Sequence, residues 1–300
     1  MRNRFYDLKK LIPDKLYLKL IYRKYMGKSL NLKNPKTFNE KIQWLKLYDR
    51  NPLYSKLVDK YRVREYIKNL LGEEYLIPLL GVWDKGEEID FSKLPDKFVL
   101  KCTHNSGGVI VCKDKNKMNY TEVIKQLNNS LKRNYYYGTR EYPYKNVIPK
   151  IIAEKYMEDD SGGLIDYKFF CFNGYVDNVM LCIDRQNNNP KFYFFNKNWK
   201  LLRINVRGKN APTNFTLPKP ECIDKMFEIA STLSKNIPFV RVDLYECKNK
   251  IYFGEMTFYP QSGLDNNLLE ETDLYLGNLI KLSGGKVHEK YWIPNKQKRK

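Results

Sequence analysis

Histidine is almost missing: two residues, His104 and His288, in a chain of 300. A Ser-His-Asp or Cys-His centre would have to draw on one of them, and neither has a nucleophile elbow nearby. Six cysteines occur, with no Cys-x-x-Cys pair among them. Two histidines cannot complete a zinc site around such scattered thiols. Four of the cysteines sit in apolar, strand-like runs such as Phe98–Cys102 and Phe169–Phe172, so buried reduced thiols are expected. No stretch approaches the roughly 18 consecutive apolar residues of a spanning helix. Met1-Arg-Asn-Arg-Phe5 runs into charge instead of an apolar segment, so no secretory signal is expected. The Gly-x4-Gly-Lys-Ser/Thr loop is absent, and so is Asp-x-Asp. Acidic residues are also short, 34 Asp and Glu against 54 Lys and Arg, which leaves a net charge of +20.

Hydrophobic residues make up 42% and aromatics 14%, enough for a sizeable core. Single cores stop growing near roughly 250–300 residues, so two or three packed subdomains are expected. The positive charge concentrates anionic partners: nucleic acid, acidic lipid, nucleotides or acidic sugars. It does not choose among them.

Residues 1–70 read as helical. Within Lys9–Lys28, leucines and tyrosines alternate with lysines and arginines, a basic amphipathic pattern. It can lie on an acidic leaflet or pack its stripe on the rest of the protein. Further helices are expected over Asn39–Tyr48 and over Leu57–Leu71, stopped by Gly72. From Tyr75 the texture turns strand-like: Leu76–Trp83, Phe98–Cys102, a second strand reaching Cys112, Ile148–Met157, Asp166–Asn173, Val179–Ile183 and Lys191–Phe195. Helices are expected over Thr121–Tyr136, Cys222–Ser234 and Leu268–Leu282. Phe239–Tyr245 and Lys250–Phe258 read as a hairpin around Lys248-Asn249. Short connections make the pairing mostly antiparallel, and the class is α+β.

Three places could carry chemistry. His104-Asn-Ser-Gly-Gly108 is a small-residue loop between two apolar strands, beside Lys101. Its backbone N–H groups could wrap a phosphate, although a Ser-Gly-Gly hairpin turn is also a common structural device. In the late hairpin, alternation places Arg241 and Asp243 on one face, and Glu255 and Thr257 share a face of the partner strand. Two carboxylates and a hydroxyl suit Mg²⁺, while cross-strand Arg–carboxylate pairing is the structural alternative. Lys168 points the same way as Asp166 from a greasy strand.

The ordered set resembles the ATP-grasp ligases: Asp59-Lys60, Phe98-Val-Leu-Lys101 with its Ser-Gly-Gly loop, Ile151–Met157, Asp166-x-Lys168 ending in Asn-Gly, Arg241-x-Asp243 and Glu255-x-Thr257. Asp59–Tyr66, Leu76–Trp83, Asp166–Gly174 and Gly254–Gly263 are similar to one branch, the teichuronopeptide-biosynthesis (TupA-like) branch of bacterial surface-polysaccharide loci. The likeness covers about residues 35–282. It implies an ATP-grasp fold in which ATP sits between two mainly antiparallel sheets with Mg²⁺ on its phosphates. It implies a helical, substrate-facing region over 1–95, a lid subdomain over 96–157 and a metal-bearing subdomain over 158–300. Position by position, Lys60 and Lys101 match phosphate-binding lysines, and Ser106, Gly107 and Gly108 match the covering loop. Glu154 and the backbone of Lys155, Tyr156 and Met157 match the adenine-reading segment, with Glu158 or Asp159 left for the ribose. Lys168 and Arg241 match basic residues near the transferred phosphate, and Asp243 and Glu255 match the metal ligands. Thr257 departs from the asparagine of many members.

The resemblance implies that a carboxylate is activated as an acyl phosphate and trapped by an amine to give an amide. The basic chain would favour an acidic sugar such as a uronic acid, whether nucleotide-linked, lipid-linked or polymeric. The expected setting is cytoplasmic, with contact at the anionic inner membrane through Lys9–Lys28 and the Lys296–Lys300 tail. Nucleic acid is not expected as a partner. The rival readings are a polysaccharide-pathway glycosyltransferase, weakened by the missing Asp-x-Asp, and a nucleic-acid-binding protein that stacks bases on Tyr135–Tyr137. A non-catalytic scaffold of the same fold is a further rival. Without metal, Asp243 and Glu255 are expected to carry uncompensated like charge.

Overall fold

A computed structural model describes residues 9–158, 164–183 and 190–282. His288, Asp159 and the Lys296–Lys300 tail lie outside them. The N-terminal part is helical: α1 (Asp14–Met26), α2 (Phe38–Tyr48), α3 (Leu53–Leu57) and α4 (Val63–Leu70). Thr37 and Glu40 close a reciprocal capping box that fixes where α2 begins. The single helix expected over Leu57–Leu71 is broken instead. Asp59 Oδ1 accepts from the backbone N–H groups of Tyr61 (2.9 Å) and Arg62 (3.1 Å), drawing them from a helical ladder and turning the chain before α4.

Two antiparallel sheets follow. The first takes β1 (Leu79–Trp83), β2 (Phe98–Cys102), β3 (Ile110–Cys112) and β4 (Ile151–Lys155) in the order β1-β4-β2-β3. Its edge strand β1 thus comes from before residue 95. The helix α5 (Tyr120–Leu131) backs this sheet, with Val123 and Leu127 packed among Phe98, Leu100, Cys102 and Ile151. The second sheet takes β5 (Asp166–Phe172), β6 (Tyr175–Ile183), β7 (Lys191–Phe195), β8 (Leu201–Leu202), β9 (Val240–Cys247) and β10 (Lys250–Thr257). Its order is β10-β9-β5-β6-β7-β8. Its core joins α8 (Ile223–Leu233) to α2, through Phe227 on Phe169 and Phe38 on Phe239. The short helices α6 (Tyr136–Thr139) and α7 (Val206–Lys209) and the closing helix α9 (Glu270–Leu279) complete the described chain. All six cysteines are free thiols, and five of them are buried. Among the described residues no helix is long and apolar enough to cross a membrane.

Helix α1 divides its apolar residues between two faces. Tyr17, Leu18 and Tyr22 are buried with Leu30 and Leu32. Leu16 and Leu20 remain 51% and 54% exposed beside Lys15, Lys19 and Arg23.

Candidate active site

Between the two sheets lies a cavity of about 700 Å³. Its lining includes Lys60, Lys101, Ser106, Gly107, Glu154, Lys155, Tyr156, Met157, Lys168, Arg241 and Glu255. Those expected positions therefore meet in one place although they span nearly 200 residues. Gly108, Glu158, Asp243 and Thr257 do not line it.

One part of the cavity wall is built by the turn before α4 and the end of β2. The backbone N–H of Lys60 donates to Thr103 O (3.1 Å) and its Nζ to Asn105 O (2.6 Å), so this lysine clamps the base of the small-residue loop. Gly107 and Gly108 follow at φ 80° and 67°, the left-handed region that glycine enters without penalty. His104 anchors the loop from behind. Its Nε2–H donates to Ser130 O (3.2 Å) and Arg133 O (2.9 Å), and burial lowers its pKa, which keeps the ring neutral. An unfolded chain therefore takes up a proton near the ordinary pKa of about 6.5, where the folded one does not. Stability should fall as pH drops through that value. The melting-temperature gap between wild type and His104→Gln should shrink from pH 7.5 to 5.5; a pH-independent gap contradicts this anchoring.

A second part of the wall rests on Glu154. Its carboxylate accepts from Lys101 Nζ (2.7 Å) and from Arg64 Nη1 (3.2 Å), while Arg64 Nη2 holds Ile77 O at 2.9 Å. Arg64 is a site residue that sequence reasoning passed over; its only signal is a spacing of four from Lys60 at the start of a helix. Ile77, Val99, Met180, Phe192 and Tyr245 add apolar wall. Glu158 turns away to Lys97 Nζ (2.6 Å).

The wall formed by β9 and β10 owes its form to Gly254. A bulge there lets Glu255 face Asp243 and Thr257 face Arg241; without it, strand parity would offer Met256 to the cavity instead. A Cβ on Gly254 would stand 2.9 Å from Asp243 O, so the bulge needs glycine. Across the other edge of β9, Lys168 lies directly opposite Asp243. The expectation of uncompensated like charge fails here. Asp243 accepts from Arg241 Nε and Nη2, both at 2.7 Å, and from Lys168 Nζ. Lys168 also pairs with Asp166. The carboxylate of Asp243 is 1% exposed and saturated with cations. Glu255 is open by comparison, 3.8 Å from Lys60 Nζ and 3.7 Å from Arg241 Nη2. Burial pushes its pKa upward, but Lys60, Arg241, Lys168 and Lys101 outweigh that and hold it at about 2.

Beyond β10 the turn Pro260–Gly263 carries Gln261 and Ser262 at φ 47° and 55°. Each left-handed non-glycine residue costs about 1–2 kcal/mol. Gln261 lines the cavity and was not anticipated, because Pro-Gln-Ser-Gly reads as an ordinary turn.

Cations, apolar wall, strand backbone and one open carboxylate in a single cavity suit a nucleoside triphosphate. Among the described residues no group of three or more His, Cys, Asp or Glu gathers to hold a metal by itself. Glu255 with the Thr257 hydroxyl, 3.3 Å away, fits Mg²⁺ that brings most of its oxygen ligands on phosphates. Fold and site together define a protein that grips a nucleotide between two antiparallel sheets. A family model described as TupA-like ATPgrasp matches residues 40–281, and the chain belongs to that family. The fold is therefore ATP-grasp, as the sequence resemblance implied.

Among solved structures the chain is similar to a D-alanine–D-alanine ligase from Bacillus anthracis complexed with ATP, at 16% identity and a TM-score of 0.44. That alignment covers 75% of this chain and 65% of the ligase, so the chain spans less than two thirds of that relative. The D-alanine–D-alanine ligase from Helicobacter pylori shows 14% identity, a TM-score of 0.43, and coverage of 83% and 68%. The ATP-grasp ligase PsnB, complexed with minimal precursor, Mg and ADP, shows 9%, 0.39, and coverage of 80% and 64%. No curated protein matches the sequence.

Proposed function

We propose that the protein is an ATP-dependent carboxylate–amine ligase acting on a uronic acid or similar acidic sugar during surface-polysaccharide biosynthesis. The single observation that carries the reading is the polarity of the cavity. Apolar wall from Ile77, Val99, Met180 and Phe192 lines it together with Lys155–Met157, while Lys60 and Arg241 stand 3.8 and 3.7 Å from Glu255 and Lys101 pairs with Glu154.

Bound Mg-ATP supplies the γ-phosphoryl that turns a carboxylate into an acyl phosphate, from which an amine expels phosphate to leave an amide. The chain's own residues make that approach tolerable. Lys60 and Lys101 neutralise the phosphate oxygens, and the Ser106–Gly108 loop covers them with backbone N–H groups. Arg241 and Lys168, held rigid by Asp243, present positive charge where the substrate carboxylate meets the phosphoryl group. Glu255 and Thr257 would receive the metal. No histidine base is needed for the first step, because a carboxylate is already the nucleophile. Backbone groups of Lys155–Met157 would read the adenine edge, the Lys155 N–H excepted because it donates to Pro78 O (2.9 Å), with the Glu154 carboxylate beside them. The test is ADP release across uronic acids crossed with amino acids and small amines. Mg-ATP turnover that requires one acid and one amine is the expected result, and stabilisation by UDP- or GDP-sugars instead would favour a glycosyltransferase.

The same reading includes a cytoplasmic protein that touches the anionic inner membrane through α1. Its exposed Leu16 and Leu20, flanked by Lys15, Lys19 and Arg23, have the composition for shallow insertion beside acidic headgroups. Vesicles rich in phosphatidylglycerol should float the protein at low salt and release it as ionic strength rises. Leu16→Asp with Leu20→Asp should abolish flotation, and flotation that survives both changes rules α1 out as the contact.

A further inference from the structure

The turn that carries Gln261 is pinned from beneath by a buried polar chain outside the nucleotide site. Lys46, on α2, donates from Nζ to Ser262 O (2.7 Å), Ser262 Oγ (2.7 Å) and Thr139 O (3.0 Å). Ser262 Oγ donates onward to Glu141 Oε1 at 2.9 Å. Gln43, one turn earlier on α2, donates to Ser262 O and Gly263 O at 2.8 and 2.7 Å. Lys46 is 1% exposed and Glu141 4%. Burial pushes the lysine's pKa down and the glutamate's up, so neither charge is at ease there. Two non-glycine residues with positive φ and a buried charge pair are costly devices for a surface turn. Such strain persists where surrounding structure over-determines it, typically beside a ligand.

What the turn presents is the Gln261 side chain, exposed and lining the cavity. Its place along the cavity follows from β10. The β9–β10 turn lies at the base end, where Cys247 Sγ meets Glu158 O at 3.4 Å. Following β10 away from that turn leads past Glu255 and Thr257 to Gln261, beyond the phosphate-binding end. A carboxylate there would seek Arg241 or Lys168, and an ammonium would be repelled by them. A hydroxyl both donates and accepts, which matches the two functions of a primary amide.

We propose that Gln261 is a substrate-selectivity residue, held by the Lys46–Ser262–Glu141 chain so that its amide reads a hydroxyl beside the reacting carboxylate. This deepens the ligase reading and rests on it. Lys46, Ser262 and Glu141 are positioning residues; only Gln261 touches substrate.

The experiment compares binding of D-glucuronate and cyclohexanecarboxylate to the protein loaded with Mg²⁺ and a non-hydrolysable ATP analogue. Both probes are six-ring carboxylates, and only one carries hydroxyls. Wild type should prefer glucuronate by about 10-fold or more, and Gln261→Ala should lose about 3- to 10-fold of that preference, the value of one hydrogen bond. Affinity for the ATP analogue should stay within about twofold. Gln261→Gly supplies the readout that a purely structural turn would not give: melting temperature unchanged or raised, because the strain is relieved, with the preference still lost. Lys46→Met should lose the preference too, and if it fails to fold the two Gln261 variants decide the matter. A preference that survives in Gln261→Ala, or is missing from wild type, overturns the proposal. A wild type that binds no Mg-ATP overturns the ligase reading and the proposal with it, a result distinct from either of those.

Discussion

Glu255→Gln is expected to cut amine-dependent ADP release by about 100- to 1,000-fold, the usual loss when one preorganised charge contact to the reacting group is removed. Stability should fall by less than in the Asp243 variant, although the cations that hold the Glu255 pKa at about 2 make some loss expected near neutral pH. Glu255 stands 3.7 and 3.8 Å from its two cations, and each of those has a closer partner. Lys60 keeps Asn105 O at 2.6 Å, and Arg241 keeps Asp243. A loose ion pair contributes less than a close, buried one. Asp243→Asn should behave differently. It also stops turnover, but it takes from Arg241 its nearest carboxylate in the interior and leaves Lys168 with Asp166 alone, so stability should fall further than in Glu255→Gln. Denaturant melts alongside ADP release separate the two carboxylates. Full turnover in Glu255→Gln would take the metal away from this site, and an Asp243→Asn protein as stable as wild type would contradict the pairing seen in the sheet.

The second large effect is on nucleotide affinity. Lys101→Ala and Lys60→Ala each remove a charge-assisted contact worth about 1.5–3 kcal/mol, so Mg-ATP binding should weaken about 10- to 150-fold. The routes differ. Lys101 approaches the cavity from β2 with its ammonium on Glu154, so its loss also leaves that carboxylate to Arg64 alone. Lys60 holds Asn105, so its loss frees the loop base as well as a charge. Lys101→Met, which keeps the aliphatic stem, should bind as weakly as Lys101→Ala, because charge and not packing is what is missing. Calorimetric titration with Mg-ATP checks all three, and unchanged affinity in both Lys101 and Lys60 variants contradicts the assignment.

Much of this was legible in the sequence, for reasons visible in particular elements. β2 and β7 fall where alternation and apolar runs placed them, and the Lys248-Asn249 hairpin turns as expected. β2 keeps a two-residue burial period, whereas β5 is buried along its whole length and β7 is legible as an apolar run and not by alternation. Long-range pairing is another matter. β5 and β9 are neighbours although some 70 residues separate them, and no local signal announces that Lys168 will face Asp243. That contact is why the like charge expected at the metal pair is compensated. The break before α4 was hidden because Asp59 competes for backbone N–H groups through its side chain, which apolar periodicity does not register. Gln261 was hidden in the same way: its value lies in a backbone conformation that only tertiary contacts from α2 sustain.

The central claim is that a substrate carboxylate takes the γ-phosphoryl group in the cavity between the sheets. Uronic acids labelled with ¹⁸O in the carboxylate, offered with Mg-ATP and an amine, test it most directly. An acyl phosphate requires that one carboxylate oxygen leave with the phosphate as the amide forms. The expected result is ADP together with inorganic phosphate carrying one ¹⁸O per amide made. Amide formation with unlabelled phosphate, or with AMP and pyrophosphate in place of ADP, would contradict it.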